Sequence, residues 1–418
     1  MSTLAEKRNL NQEIQSAFLL PGFEKDPKRK HALDLFLRKG FPGPKSEEYK
    51  FTPITRLLEG VLILDPIQPS LKKIESRVPA IKDFTCNLIA FVNGQFSKEQ
   101  SIFLDEDISI QLVELEEAQI ESDPFDHLNQ AFSHSVVQIN IGPKKTVKHP
   151  LAIVYYFDSP KFVFANPRWR CNVGAQSTLT LLEYTECTRE SLYFNNKQSS
   201  IEVGEQGHLE YTHIQNGPST DIEINNTAIH LSASANASCF TFTFNGQLVR
   251  NNLSLIIDGP GVDAHLHGLY LLSNKTLADN HTVVDHKKPN SYSNELYKGV
   301  MDGDSKGIFN GKIYVRPQAQ KTNAFQSNRN ILLSETATVH TKPQLEIWAD
   351  DVKCSHGCTT GQLDEEALFY LRSRGIPKRQ AKGMMLNAFA VETIATMKNE
   401  TIKAFIDGLI AEKLQKSF

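Results

Sequence analysis

Two thiols and an imidazole are concentrated in one five-residue segment of this chain. The segment reads Cys354-Ser355-His356-Gly357-Cys358, and soft or borderline metal ions prefer thiolate and imidazole ligands. The 418 residues contain only six cysteines and 13 histidines, and nowhere else do three of them lie so close together. The residue types therefore indicate metal or sulfur chemistry here.

The spacing of these side chains limits what the segment can do alone. In an extended strand Cys354, His356 and Cys358 share one face, because alternate side chains point the same way. The two ends would lie roughly 13 Å apart at about 3.3 Å per residue, whereas ligands of one metal ion sit about 2.0–2.3 Å from it. Either Gly357 bends the chain, or a pair of ligands joins a site completed by residues from elsewhere, and we favour the second. The alternative is that the cysteines are small buried apolar residues and the histidine an ordinary surface group.

Length and charge restrict the class of protein. A chain of 418 residues suits two or three domains or one extended architecture. The 45 basic and 48 acidic residues give a net charge of -3, which argues against a nucleic-acid-binding face. The start lacks a signal-peptide pattern and no apolar run of about 18 residues occurs, so we expect a cytoplasmic protein with no membrane partner. Six scattered cysteines are expected to remain thiols.

Helical patterns mark both ends of the chain. Leu10, Ile14 and Phe18 recur at a spacing of four, and we predict an N-terminal helical domain with a connector at residues 1–85. A C-terminal helical domain is predicted at residues 361–418. Its proposed start and stop signals are Asp364, Gly375 and Pro377, and its last helix carries an apolar stripe of Ile402, Phe405, Ile406, Leu409, Ile410 and Leu414. We interpret that stripe as core packing.

The middle of the chain has the pattern of strands. Short apolar runs end at turn residues, at 87–92, 136–141, 151–157, 177–184, 208–213, 228–231, 239–244 and 253–257. Runs this short and numerous predict an all-β body at residues 86–360 with no strong helical pattern inside it. Its length suits a stack of coils, so we predict a parallel β-helix; two β-sandwiches in tandem are the alternative. Arg250-Asn251-Asn252 and Asn328-Arg329-Asn330 are interpreted as coil corners.

Other candidate sites are weaker. His265 and His267 share a strand face, but without a third ligand at a defined spacing a structural role is the better interpretation. Glycine-rich phosphate-binding motifs and the nucleophile-elbow motif are absent. This absence argues against nucleotide hydrolysis and serine-esterase chemistry by this chain.

Several longer segments form a specific pattern. The main ones are QLEIWADDVKCSHG at 344–357 and GQLDEEALFYLRSRGI at 361–376, with support from YKGV at 297–300, AFQSNRNILL at 324–333, and the connector residues Phe41, Pro42, Lys45 and EEYK at 47–50. Together they resemble the SufB/SufD family of iron-sulfur cluster assembly proteins. The length, the N-terminal helical segment and the lack of an N-terminal cysteine cluster favour the SufD branch. Cys358 departs from the family pattern, which has a small residue without a thiol there. We interpret it as an unpaired thiol without a role in the site; the alternative is that it supplies an extra metal ligand.

The resemblance implies a fold, partners and site residues. The fold would be mainly β, a right-handed parallel β-helix core flanked by N-terminal and C-terminal helical domains. The chain would be a non-catalytic scaffold subunit that pairs with the SufB paralogue and two copies of the SufC ATPase. His356 and Cys354 would be candidate ligands for iron or a nascent iron-sulfur cluster, held transiently at the SufB/SufD interface. The SufC contact would fall on the C-terminal helices, with Leu368, Leu371, Arg372, Met384 and Met385 as candidates.

Two rival interpretations remain from other classes. One is a structural homodimer without a metal role. The other is a β-helix enzyme that processes polysaccharides, which would need an acid/base pair in a groove and normally an export signal.

Overall fold

A computed structural model describes residues 9–19, 26–43, 45–62, 81, 84–187 and 192–417. Parts of the predicted N-terminal domain, including 1–8 and 63–80, lie outside the described residues. Within the described ranges, no helix is both long enough and apolar enough to cross a membrane.

Three helices form the described N-terminal region. They are α1 Leu10–Phe18, α2 Pro27–Lys39 and α3 Ile54–Val61, with a 3-10 turn at Glu47–Tyr49 between the last two. The Asp26 side chain accepts a hydrogen bond from the Lys28 N–H and so caps α2, which ends at Gly40 in the left-handed region. Leu10, Ile14 and Phe18 are buried, as their spacing predicted.

A long series of strands occupies the middle of the chain. In chain order the elements are β1 Asn87–Val92, β2 Gln95–Ile102, β3 Ile108–Val113, α4 Pro124–Phe132, β4 Val136–Ile141, β5 Leu151–Phe157, β6 Val163–Ala165, β7 Arg168–Val173, β8 Thr178–Cys187, β9 Tyr193–Val203, β10 His208–Asn216, β11 Ile222–Leu231, β12 Asn236–Asn245, β13 Leu248–Ile257, β14 Asp263–Leu272, β15 Leu277–His286, β16 Tyr292–Met301, β17 Lys306–Val315, β18 Asn323–Leu332, β19 Thr338–Thr341, β20 Gln344–Ile347 and β21 Lys353–Gly361.

These strands form a parallel β-solenoid of about eight turns. The first sheet has the order β2-β1-β5-β8-β10-β12-β14-β16-β18-β21, and the second has the order β19-β17-β15-β13-β11-β9-β7-β4-β3. From β7 to β18, successive strands alternate between the two sheets. The architecture confirms the predicted parallel β-helix with flanking helices, and the alternative of tandem sandwiches is wrong.

One helix interrupts the strands, contrary to the prediction. Asp123 accepts a hydrogen bond from the Phe125 N–H and caps α4, with Pro124 at its first position. The Asp-Pro pair is a helix start signal, but the strand patterns on both sides of it outweighed it in the prediction. Helices α1 to α4 together bury apolar side chains against the outer face of the second sheet, at Phe194, Ile222, Leu248 and Leu277.

The predicted asparagine corners are also wrong, because these residues lie inside strands. Asn251 is in β13, where its side chain bonds to the amides in register with it on both neighbouring strands. Asn225 Nδ2 donates to Asn251 Oδ1 (2.9 Å), and Asn251 Nδ2 donates to Asn280 Oδ1 (3.0 Å). Turns fall instead at residues with positive φ such as Gln206 and Asn274.

Three helices follow the last strand, α5 Glu365–Ser373, α6 Lys378–Val391 and α7 Glu400–Ser417. Helices α6 and α7 cover the outer face of the first sheet, and α5 packs against α6. Asp364 caps α5 by accepting hydrogen bonds from two backbone N–H groups. The stripe residues Ile402, Ile406, Ile410 and Leu414 are buried with Phe240 and Phe242 of β12 and other apolar residues of that face. The predicted core role of the stripe is confirmed.

Two groups of charged residues are buried against the second sheet. On its outer face, Arg250 pairs with Asp279 beneath the N-terminal connector. On its inner face, Lys197 lies 3.2 Å from a carboxylate oxygen of Glu223. Buried charges of this kind require their partners.

Candidate functional site

The segment that contains the two thiols and the imidazole is strand β21, the last strand of the first sheet. Within the described chain β21 pairs with β18 alone, so its other edge is free. All of its residues are exposed except Cys354, which is half-buried. A free nine-residue edge is unusual, because its unpaired N–H and C=O groups are a template for another strand.

The register with β18 fixes the direction of the three side chains. Cys354, His356 and Cys358 are opposite Ala324, Gln326 and Asn328 respectively. These three β18 residues are buried inside the solenoid. The pairing continues through Gly357, so no bend there brings the ends together. The side chains of the segment therefore lie on the inner face, at the open end of the solenoid.

The two thiols differ in environment. Cys354 packs against the solenoid core, and burial raises the pKa of its thiol. Cys358 is exposed, and its Sγ lies 2.9 Å from Thr341 Oγ1 on β19 and 3.9 Å from Asn328 Oδ1. Cys358 is therefore the more accessible of the two thiols. The sequence alone did not identify Thr341 as a neighbour of Cys358, because the two residues meet only when the coil is folded.

Two buried polar side chains lie behind His356 in the stack. Gln326 is opposite it on the adjacent strand β18, and Glu295 is opposite Gln326 on β16. Gln326 Nε2 donates to Glu295 Oε2 at 2.6 Å, and burial raises the pKa of Glu295 to about 7. Gly311 makes room for this amide, since a Cβ there would lie 2.2 Å from Gln326 Nε2. Among the described residues, Gln326 Oε1 has no hydrogen-bond partner.

The histidines on the outer face of the first sheet have structural partners. His265 Nε2 lies 2.9 Å from Asp263 Oδ1, and the His267 ring stacks on Phe240. Burial, followed by the neighbouring His265, lowers the pKa of His267 to about 4. This arrangement agrees with the structural interpretation of the pair.

The described residues of this chain do not by themselves supply a complete set of metal ligands. Among the residues that the structure describes, no group of three or more histidine, cysteine, aspartate and glutamate side chains could hold a metal ion. His356 and its neighbouring thiols would need ligands from water or from another chain.

The predicted partner-binding residues are divided between surface and core. Leu368 is only 2% exposed, so the structure places it inside this chain. Leu371 and Met385 are half-buried, whereas Arg372 and Met384 are exposed. The most exposed apolar residues of these helices are Phe369 at 71% and Tyr370 at 58%, which the sequence analysis did not select. The packing of α5 against α6 was needed to distinguish its buried face from its exposed face.

Comparisons with known proteins match more than half of this chain. The family model described as "SUF system FeS cluster assembly, SufBD core domain" matches residues 156–389. The chain is 27% identical over 424 residues to the iron-sulfur cluster assembly protein SufD of Escherichia coli (strain K12), and the alignment covers 99% of both chains. It is 28% identical over 396 residues to an iron-sulfur cluster assembly SufBD family protein of Synechocystis sp., with 88% of this chain and 86% of that protein covered. It is also 28% identical over 265 residues to the chloroplastic protein ABCI7 of Arabidopsis thaliana, covering 62% and 56% of the two chains.

Proposed function

Because the chain belongs to the SufBD family of the SUF system for iron-sulfur cluster assembly, we propose that it is a non-catalytic scaffold subunit that binds iron or a nascent cluster. The supporting observation is the exposed His356 on the inner face of an unpaired edge strand. Imidazole is a borderline ligand that iron accepts alongside thiolates. We propose that His356 is the main ligand and that a neighbouring thiol is the second, Cys354 being the candidate that the family pattern implies.

The free edge of β21 is the proposed contact with the SufB paralogue. A strand from that partner can pair along residues 353–361 through main-chain hydrogen bonds, while its side chains supply further ligands. Iron and the cluster are cargo in this proposal, held transiently. A homodimer through the same edge is the alternative in isolation. Assembly in the cytoplasm is part of the proposal.

Replacing His356 with alanine is the direct test of the ligand role. We expect the complex with SufB and SufC to form normally while its iron and acid-labile sulfide fall by about tenfold, since even changes beside metal ligands cost about 10–100-fold in affinity. Co-expression, size-exclusion chromatography and chemical analysis of iron and sulfide measure both quantities.

His265→Ala is the matched control, because it removes a partly exposed histidine from the outer face of the same sheet. Its complex should keep the wild-type iron and sulfide content. Full cluster content in the His356→Ala complex would contradict the proposal and leave the structural homodimer as the better interpretation.

The exposed apolar residues of the C-terminal helices are the proposed contact with the SufC ATPase. Phe369, Tyr370 and Met384 have 71%, 58% and 47% of their surface exposed. Aromatic residues and methionine are enriched in protein interfaces, and aromatic residues that become buried there often contribute much of the binding energy. We therefore place this contact on Phe369 and Tyr370 with Met384, and not on the buried Leu368.

Phe369→Glu should abolish SufC binding and leave the SufB contact intact. Truncating an aromatic anchor typically weakens binding by about 2 kcal/mol or more, and a buried unpaired charge adds to that loss. Ile120→Glu is a matched control, because Ile120 is 68% exposed and lies outside these helices. Affinity capture with tagged SufC measures the effect, and unchanged capture of Phe369→Glu would place the contact elsewhere.

A further inference from the structure

We propose that Cys358 and His356 form a two-ligand, thiolate–imidazole site for a divalent transition metal ion on this chain alone. This inference deepens the proposed function and rests on it for its biological meaning. It assigns the sulfur ligand to Cys358, whereas the family pattern implies Cys354.

The spacing of these two residues suits chelation. His356 and Cys358 are two positions apart on β21 and share its inner face. Their Cα atoms are therefore about 6.6 Å apart, which is about half the distance between the ends of the segment. Metal–nitrogen and metal–sulfur distances of about 2.0–2.3 Å require the two side-chain tips to approach to about 3.6 Å. The long imidazole can lean toward the shorter cysteine to reach that separation.

Accessibility favours Cys358 over Cys354 as the sulfur ligand. Both lie two residues from His356 on the same face, so spacing alone does not distinguish them. Cys354 is half-buried among core residues, including those around Ala324, and a metal ion would have to displace that packing. Cys358 is exposed at the open end of the solenoid.

The surroundings of Cys358 already contain a partner for a metal-bound thiolate. Thr341 Oγ1 is 2.9 Å from Cys358 Sγ. Once the thiol loses its proton on binding metal, the sulfur can only accept, and the threonine hydroxyl becomes the donor. Hydrogen bonds of this kind orient metal ligands and tune their basicity.

The surroundings of His356 contain a matching acceptor. Gln326 is buried and lies between Glu295 on β16 and His356 on β21. Its Nε2 donates to Glu295, and the two ends of an amide diverge, so Oε1 is turned away from Glu295. This oxygen has no partner among the described residues. It can accept the second ring N–H of His356 when the other ring nitrogen binds metal, which is the usual arrangement at metal-bound histidines.

A site with two protein ligands keeps its remaining coordination positions open. Water, or ligands from a strand added along the free edge of β21, would fill them. The mixed sulfur and nitrogen donor set suits Fe(II), Co(II) and Zn(II) better than Mg(II) or Ca(II). Such a site can take up a metal ion and pass it to a partner without dismantling a closed shell.

Titration of the reduced, metal-free full-length chain with Co(II) tests the proposal without any partner protein. We expect a near-ultraviolet thiolate-to-cobalt charge-transfer band that is absent in Cys358→Ala. His356→Ala should weaken Co(II) binding by at least about tenfold, and Gln326→Leu by about tenfold. Cys187→Ala is the control thiol, since Cys187 lies on β8, six strands away in the same sheet, and it should keep the wild-type band.

Several results would overturn the inference. They are the absence of a band in the wild type, a band that survives in Cys358→Ala but disappears in Cys354→Ala, or unchanged affinity in His356→Ala. Circular dichroism of each variant establishes that the solenoid is intact. A different result decides the proposed function. It is contradicted if the complex of His356→Ala with SufB and SufC keeps its full cluster content.

Discussion

Replacing Arg250 with methionine is expected to lower the free energy of unfolding by about 3–5 kcal/mol, the usual result of removing one member of a buried ion pair. Arg250 and Asp279 are 2% and 0% exposed. Burial alone would raise the pKa of Asp279, but Arg250 and His281 beside it hold that pKa well below its ordinary value. Removing Arg250 leaves the Asp279 carboxyl group in the protein interior without its main cation. It must then either keep an uncompensated charge or take up a proton, and both outcomes lower the free energy of unfolding.

The same arginine anchors the N-terminal connector to the solenoid. Its Nη1 donates to the Glu48 carbonyl oxygen at 2.8 Å, and its guanidinium lies 3.9 Å from the centre of the Tyr49 ring. Thr52 on the same connector donates to Asp279. The substitution should therefore also loosen the connector, which limited proteolysis would detect as faster cleavage near residue 50.

Denaturant unfolding at pH 7 measures the predicted loss. Arg374→Met, at an exposed arginine after α5, is the matched control and should change stability by less than about 0.5 kcal/mol. Adding Asp279→Asn to Arg250→Met should restore part of the loss, because it removes the carboxyl group that has lost its main cation. A loss below about 1 kcal/mol in the single variant would mean that the pair contributes as little as a surface ion pair.

A loss of similar size, about 3–5 kcal/mol, is expected from Lys197→Met inside the solenoid. Lys197 is 1% exposed, and its Nζ lies 3.2 Å from Glu223 Oε2, 3.7 Å from Glu183 Oε1 and 2.9 Å from His213 Nε2. It also lies 4.6 Å from the centre of the Tyr155 ring. Methionine fills comparable space but leaves two buried carboxylates without their cation.

Glu223 is the carboxylate that should suffer most. Glu183 keeps hydrogen bonds from the hydroxyls of Tyr155 and Tyr211. Glu223 has no such hydrogen bond among the described residues, so the Lys197 ammonium is its main partner. Adding Glu223→Gln to Lys197→Met should therefore recover more stability than adding Glu183→Gln. Equal recovery from the two double variants in denaturant unfolding would show that Lys197 compensates both carboxylates alike.

Much of the fold could be predicted because its signals are local. The bounds of β1, β4 and β5 follow from apolar runs that end at turn residues. The start of α2 follows from Asp26 before Pro27, and that of α5 from Asp364. These signals depend on a few adjacent residues, so the sequence alone is enough to find them.

The polar interior could not be predicted, because it depends on register between coils. Asn251 has the residue type of a turn, and only its in-register neighbours Asn225 and Asn280 show that it belongs to a ladder of buried amides. The same limit applies to Lys197, whose carboxylate partners are distant in the sequence.

The candidate site was partly predictable for the same reason. Period-two alternation was enough to place Cys354, His356 and Cys358 on one face. It did not show that the face lies at the open end of the solenoid, that Cys354 is half-buried, or that Thr341 approaches Cys358. The burial of Leu368 and the exposure of Phe369 likewise depend on how α5 packs against its neighbours.

The position of β21 at the end of the stack makes its local stability largely independent of that of the body. Each coil of a solenoid contacts only its neighbours, so the stability of the whole is approximately a sum of local terms. Among the described residues the terminal strand β21 pairs on one side only, so its opening leaves the pairing of the coils behind it in place. A substitution on β21, such as one at Cys358, should therefore change the reactivity of this strand with little effect on the folding of the rest of the scaffold.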